Sequence, residues 1–313
     1  MNCIGIWISN QQDQQTHELE CHFNLWMLKS ISHKQDEQLD CFLDIGFKFN
    51  ILDKSSHINI FLPDKIDKSN LQDLGIIFKD NAGLVSAVFN EDYGVLTHAN
   101  EKTIEIQQAD KTPLFDIYML DLENDVSISP QFGGSTISIH IPEHLKAKTH
   151  YYRIRLKCAF VDKIGYIYNP PASSILEGAF FQTELIDFRV NENRILPDSL
   201  LETIRKNGAI KFKKTHFFLM REASDDYIFS HKPPGGRQLE RDTWKAYVGK
   251  DYSFEQITAY HWKEATLHDS FSVFAKFRSF HSGWRTILIA IGAIVILGII
   301  SGFLGNLFYS LID

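Results

Sequence analysis

Apolar and polar side chains alternate in short runs through the first half of the chain. Ile45, Phe47, Phe49 and Ile51 take every second position, as do Ile104 and Ile106. A period of two gathers one set of side chains on one face, as in a half-buried strand. Such runs predict strands at residues 4–9, 18–28, 42–51, 58–62, 84–89, 103–106, 115–120, 136–141 and 151–161. Turn-forming clusters part them, among them Asp80-Asn81-Ala82-Gly83, residues 90–94 and Gln131-Phe132-Gly133-Gly134. Many short strands at this spacing predict an antiparallel sandwich or barrel. Only residues 68–74 read as helical in this half.

Pro170 and Pro171 interrupt the pattern, since proline cannot donate to a sheet ladder. Beyond them strands are predicted at 184–190 and 210–220. Helices are predicted at 197–207, stopped by Gly208, at 239–248 and at 254–267. The expected organisation is a β-rich domain over 1–167, a smaller α+β module over 178–268, an aromatic and basic segment over 269–285, and a membrane-spanning helix over 286–312.

The last of these is the strongest single pattern. No charged residue occurs from Thr286 to Ile312. As a helix those positions span roughly 40 Å, and a bilayer core needs only ~20 residues. Lys276, Arg278 and Arg285 precede the span and only Asp313 follows it. This bias places the preceding domain in the cytoplasm, as in a single-pass, tail-anchored protein. A chain ending near Asp269 is then expected to be soluble. Gly298, Ser301, Gly302 and Gly305 form a small-residue stripe of the kind that lets two helices approach closely. Phe271, Phe274, Phe277, Phe280 and Trp284, spaced with Lys276, Arg278 and His281, read as a helix suited to the headgroup layer, or as a linker with interfacial aromatics.

Charge sharpens this division. Residues 1–130 hold nine Lys/Arg against twenty-one Asp/Glu, whereas residues 203–313 hold fifteen against ten. The basic part adjoins the expected bilayer, whose anionic lipids attract it. The first residues lack the basic start of a signal peptide. Cys3, Cys21, Cys41 and Cys158 show no metal or redox spacing and read as reduced thiols.

Candidate chemistry is sparse. His17 and His22 flank two glutamates, but they stand five apart on a strand-like run, not four apart on a helix. His140, His144 and His150, with Pro142 and Glu143 among them, read as a solvated loop. No nucleophile elbow, Walker loop or dinucleotide fingerprint occurs, so no enzyme class, cofactor or metal site is indicated. The best polar candidate is an anion site built from Lys213, Lys214, His216, His231, Lys232, Gly235, Gly236 and Arg237. There, glycine backbone N–H groups and basic side chains would meet a phosphate; the alternative is a proline-glycine hairpin loop. Arg189, Glu192 and Arg194 are either an interface patch or a salt-bridged turn.

These features predict a membrane sensor or effector. Its domain would bind a small anionic ligand or a cytosolic protein and control homo-oligomerisation of the helix in the lipid bilayer. Bacterial membrane effectors of antiviral defence share that layout, an analogy of architecture and not of motif. The alternatives are an adaptor that recruits a cytosolic partner, and an enzyme whose site is dispersed in sequence. Nucleic acid is disfavoured by the acidic balance.

Overall fold

A computed structural model describes residues 3–10, 17–29, 39–50, 56–89, 91–97, 101–142, 149–168, 181–207, 210–252, 254, 256–280 and 284–312. The predicted break at Pro170 and Pro171, the stop at Gly208, and His144 lie outside these residues.

The strands, in chain order, are β1 (Gly5–Asn10), β2 (His17–Lys29), β3 (Leu39–Asn50), β4 (Ser56–Leu62), β5 (Leu71–Asp73), β6 (Gly94–Thr97), β7 (Thr103–Gln107), β8 (Pro113–Tyr118) and β9 (Val126–Gln131). They continue as β10 (Gly134–Ile141), β11 (Thr149–Leu156), β12 (Gly165–Tyr168), β13 (Phe181–Val190), β14 (Ile210–Glu222), β15 (Asp226–Ser230), β16 (Gly235–Gln238), β17 (Ile257–Glu264) and β18 (Phe271–Phe280). They build three sheets. A ten-stranded sheet runs β16-β17-β14-β2-β3-β11-β8-β7-β6, with β5 also on β11. Two four-stranded sheets run β1-β4-β10-β9 and β12-β13-β18-β15.

The large sheet is mixed, which corrects the expectation of a purely antiparallel fold. β14 pairs with β2 in parallel, as β11 does with β8. Neither pair is consecutive in the chain, so no tight hairpin imposes the antiparallel sense on it. The β14–β2 pair also joins strands from either side of the boundary expected between residues 167 and 178.

Alternation along the central strands divides the core in two. Leu19, Cys21, Phe23, Leu25 and Met27 of β2 join one apolar cluster with Ile45 and Phe47 of β3 and the inner faces of both smaller sheets. Trp26 and Leu28 face the opposite way, into a second cluster with Phe42, Tyr151 and Met220. Helices Gly75–Asp80, Ala82–Phe89 and Arg241–Val248 cover that second face with Phe78, Leu84, Val85, Trp244 and Tyr247. With both faces covered, β2 reads as almost continuously buried. All four cysteines are buried free thiols.

Several local expectations are corrected. Residues 84–89 form a helix, which buries Leu84 and Val85 and packs Ala87, Val88 and Phe89 against the same core. Within 68–74 a short 3-10 turn, Lys68–Asn70, gives way to β5. The strand expected to reach residue 161 ends at Leu156, and Ala159–Asp162 is helical. The helix expected over 254–267 is instead β17, with Ile257, Ala259 and Trp262 buried against β14. His150 is buried within β11 and not in a solvated loop.

The segment 269–285 is corrected as well. Phenylalanines every third residue imitate a helix, yet β18 pairs with β13 along its length and with β15 from Ala275 to Arg278. Phe271, Val273, Ala275 and Phe277 are buried at a period of two. Beyond it runs a helix, Trp284–Ile312, of 29 residues. Its continuously described side chains are those of residues 291–306, and among the described residues no helix is long and apolar enough to cross a membrane.

Candidate functional site

The alternation that builds the core also builds a polar floor. Glu20, His22 and Asn24 occupy successive positions on the helix-covered face of β2, just before that face turns apolar at Trp26. On neighbouring strands, His216 of β14 is in register with His22, and Lys48 of β3 with Glu20. His261 of β17 follows, its Nε2 standing 2.9 Å from His216 Nδ1. The same side chains line a cavity of about 510 Å³, roofed by Val88 and Phe89 and walled by Gly235, Gly236, Arg237 and Trp244.

Close approach across the floor depends on one glycine. Tyr151 of β11 lies two strands from His22, with Gly46 of β3 between them. A Cβ at Gly46 would collide with the Tyr151 phenol. Its absence lets Tyr151 Oη come within 3.3 Å of His22 Nδ1. Arg153 Nη1 donates to the same hydroxyl at 2.6 Å, and its Nε donates to Tyr247 at 2.7 Å. Tyr247 in turn donates to Asp44 at 2.7 Å, as Arg155 does at 2.7 Å and Trp26 at 2.9 Å. Asp44 and Arg153 are fully buried. Losing one partner of such a network costs about 3–5 kcal/mol, because a buried charge is left uncompensated.

The floor's electrostatics follow from burial and these contacts. Burial raises the Glu20 carboxyl, but the hydrogen bond with His22 and nearby Lys214 and Lys48 overcome it and hold the group at about 2. Burial lowers His22 despite Glu20 beside it. At neutral pH their 3.3 Å contact therefore joins a carboxylate to a neutral imidazole, and Lys214, 3.5 Å from Glu20, is the cation. Burial, with His22 and Lys214 adjacent, lowers His216 to about 3. Burial, with Lys263 and Arg237 nearby, lowers His261 to about 4. Lys48, Lys214, Lys263 and Arg237 outnumber Glu20 and Glu91 around the cavity, giving it a basic wall.

Of the residues expected to bind an anion, Lys214, His216, Gly235, Gly236 and Arg237 line this cavity. Lys213 is exposed and not part of its lining. His231 accepts from the Phe274 backbone N–H at 3.3 Å, and Lys232 pairs with Glu264 at 2.7 Å, both away from it. The expected hairpin loop is partly strand, since β16 pairs with β17 from Gly235 to Gln238. Arg189 pairs with Asp187 at 2.7 Å and Arg194 with Glu192 at 3.0 Å. Between them Asn191, at a φ of 51°, exchanges hydrogen bonds with the Ile6 backbone and ties β13 to β1.

The sequence pattern sets Glu20 and His22 aside as a failed helical zinc motif and gives no sign of Lys48 or His261. The available signal was the alternation of Glu18, Glu20, His22 and Asn24 with the apolar Leu19, Cys21, Phe23 and Leu25 along one strand. Gly298, Ser301, Gly302 and Gly305 lie exposed along the final helix, and a Cβ at any of the three glycines would meet nothing within 4 Å.

No protein-family model and no curated protein matches the chain. Among solved structures it is similar to the Mu homology domain of Fcho1 from Danio rerio, determined with a bound Eps15 peptide. The identity is 8%, over 86% of this chain and 82% of that one, with a TM-score of 0.20. A likeness that slight carries no argument about fold or function.

Proposed function

We propose that this chain is a membrane-anchored sensor. The helix Trp284–Ile312 crosses a bilayer, the cavity takes up a small anionic ligand, and occupancy of the cavity controls self-association of the helix.

The observation that carries the anchor is the final helix taken over its whole length, beyond the positions 291–306 whose side chains are continuously described. Its 29 residues extend about 43 Å. Eleven large apolar side chains on it, from Leu288 to Phe308, are exposed, nearly all by half or more. Isolated exposed apolar residues need no explanation, but a contiguous surface of this kind does. A lipid environment supplies the missing contacts. The adjacent sheet supports the same placement. On its outer face Lys276 is in register with Phe229 of β15, and Arg278 lies 5.3 Å from the Phe181 ring. Tyr166, Tyr168, Phe229 and Phe274 are exposed there. Aromatic and basic side chains together suit the headgroup layer. The ligand reading is supported by the basic wall and by the exposed glycines at 235 and 236.

The test uses the full chain. It is expected to stay in the membrane fraction after an alkaline carbonate wash; release as folded protein would remove the anchor. In detergent, pyrophosphate is expected to bind, and Arg237→Ala to weaken it about tenfold, the worth of one charge-assisted hydrogen bond. Equal binding by wild type and variant would remove the ligand reading.

A further inference from the structure

We infer that the cavity floor is a binding site for one divalent transition-metal ion, zinc or an ion of similar preference, held by Glu20, His22 and His216. One ligand atom from each residue lies within 4.8 Å of the others. Two ligands of a tetrahedral ion bound at 2.0–2.1 Å stand roughly 3.3 Å apart. His22 Nε2 and Glu20 Oε1 already lie at 3.3 Å. His216 needs only a small side-chain adjustment to complete the triad.

The hydrogen bonds around the triad are compatible with the required tautomers. His216 gives Nδ1 to His261, which leaves Nε2, buried and without a hydrogen-bond partner among the described residues, as the coordinating atom. With His22 coordinating through Nε2, its Nδ1 proton points to Tyr151 Oη, and a hydroxyl accepts as readily as it donates. Metal-bound histidines ordinarily hold the second nitrogen in this way. Two neutral imidazoles and one carboxylate suit zinc, cobalt or ferrous iron better than calcium or magnesium, which prefer oxygen.

The triad leaves a coordination position open toward the cavity, the arrangement of reactive or ligand-exchanging sites and not of closed structural ones. Lys214 must then release Glu20, which its 36% exposed side chain permits. Lys48 and Arg237 on the walls favour an anion as the fourth ligand, so metal and anion would occupy one cavity without competing. The inference shares that cavity with the sensor reading and rests on it only for the anion's place.

The test is a cobalt titration of the full chain in detergent, purified without a polyhistidine tag and stripped with chelator. One equivalent is expected to give the visible absorption of a low-symmetry, four-coordinate ion, which zinc abolishes. Glu20→Gln and His216→Ala are each expected to weaken cobalt binding at least tenfold, with circular dichroism unchanged. His261 stacks on Phe218 with ring centroids 4.1 Å apart; His261→Phe keeps that contact but loses the bond to His216, and is expected to weaken binding about 10- to 100-fold. Lys213→Ala is expected to bind as wild type. Should His216→Ala misfold, Glu20→Gln, whose side chain is 23% exposed, carries the test. Absence of the cobalt band, or undiminished binding in Glu20→Gln, overturns the inference. Pyrophosphate binding to the stripped chain is read separately, so its loss would touch the sensor reading and not this one.

Discussion

Asp73 shows how one residue couples burial to pH. It closes the turn that starts the helix Gly75–Asp80, accepting from the Gly75 and Ile76 N–H groups at 3.1 Å each. Those bonds favour the carboxylate, yet burial outweighs them and pushes the group up to about 6. The folded chain therefore holds this proton more tightly than the unfolded chain. Its contribution to stability is full below about pH 4, where both states are protonated, and is lost as pH rises through about 6. At about 1.4 kcal/mol per pKa unit the difference is on the order of 1–3 kcal/mol. Asp73→Asn is expected to remove this component from the pH dependence of thermal unfolding between pH 4 and 7. An unchanged dependence would place the titrating group elsewhere. The polar floor follows the same rule at the other extreme, where the hydrogen bond with His22 and nearby Lys214 and Lys48 keep Glu20 ionised despite burial.

At the scale of elements, β18 decides where the folded domain ends. The sequence places the boundary near Asp269, because aromatics at 271, 274, 277 and 280 imitate a helical face. Pairing gives β18 ten register partners on β13 and further partners on β15. A chain ending at Asp269 would strip an inner strand from its sheet and expose Ile186, Phe188 and Phe217. A chain ending at Phe280 keeps that sheet whole. The prediction is that the longer truncation product is monodisperse with a cooperative melt, whereas the one ending at Asp269 aggregates or fails to melt cooperatively. Equal behaviour of the two would mean that β18 is dispensable to the fold. Buried area on this strand makes that outcome costly, since each fully buried Phe or Val is worth about 1.5–3 kcal/mol.

The whole molecule joins a β-rich domain to an apolar helix through three residues, 281–283, that lie outside the described ones. Under the sensor reading, events in the cavity must reach that helix through packed elements. β14 pairs with β17 and carries His216 on the cavity side and Phe217 on the other, where Phe217 stacks on Phe188 of β13 at 4.4 Å. β13 is the partner of β18, which leads into the helix. Self-association then tests the far end of this path. Gly302→Ile is expected to reduce crosslinking between copies in membranes several-fold, because a side chain there holds the backbones apart. Ala293→Ile is expected to crosslink as wild type, and both variants to remain inserted. Equal crosslinking by all three would remove the helix contact and leave an adaptor as the better account.

Sequence alone determined what depends on neighbours in the chain. The period of two at Ile45, Phe47 and Phe49 made a strand of β3, and the uncharged run from Thr286 to Ile312 made the apolar helix. Tertiary structure decided what depends on partners far along the chain. Whether residues 84–89 and 257–264 are helix or strand was settled by what covers them, since short apolar runs satisfy either period. The parallel pairing of β2 with β14 lay beyond local reading because no turn connects them. That pairing alone brings His22 beside His216, about two hundred residues apart, in one register. The His17–His22 segment was read correctly as strand-like. On a strand its chemistry lies in Glu20 and His22, two apart on one face, awaiting a third group from another strand.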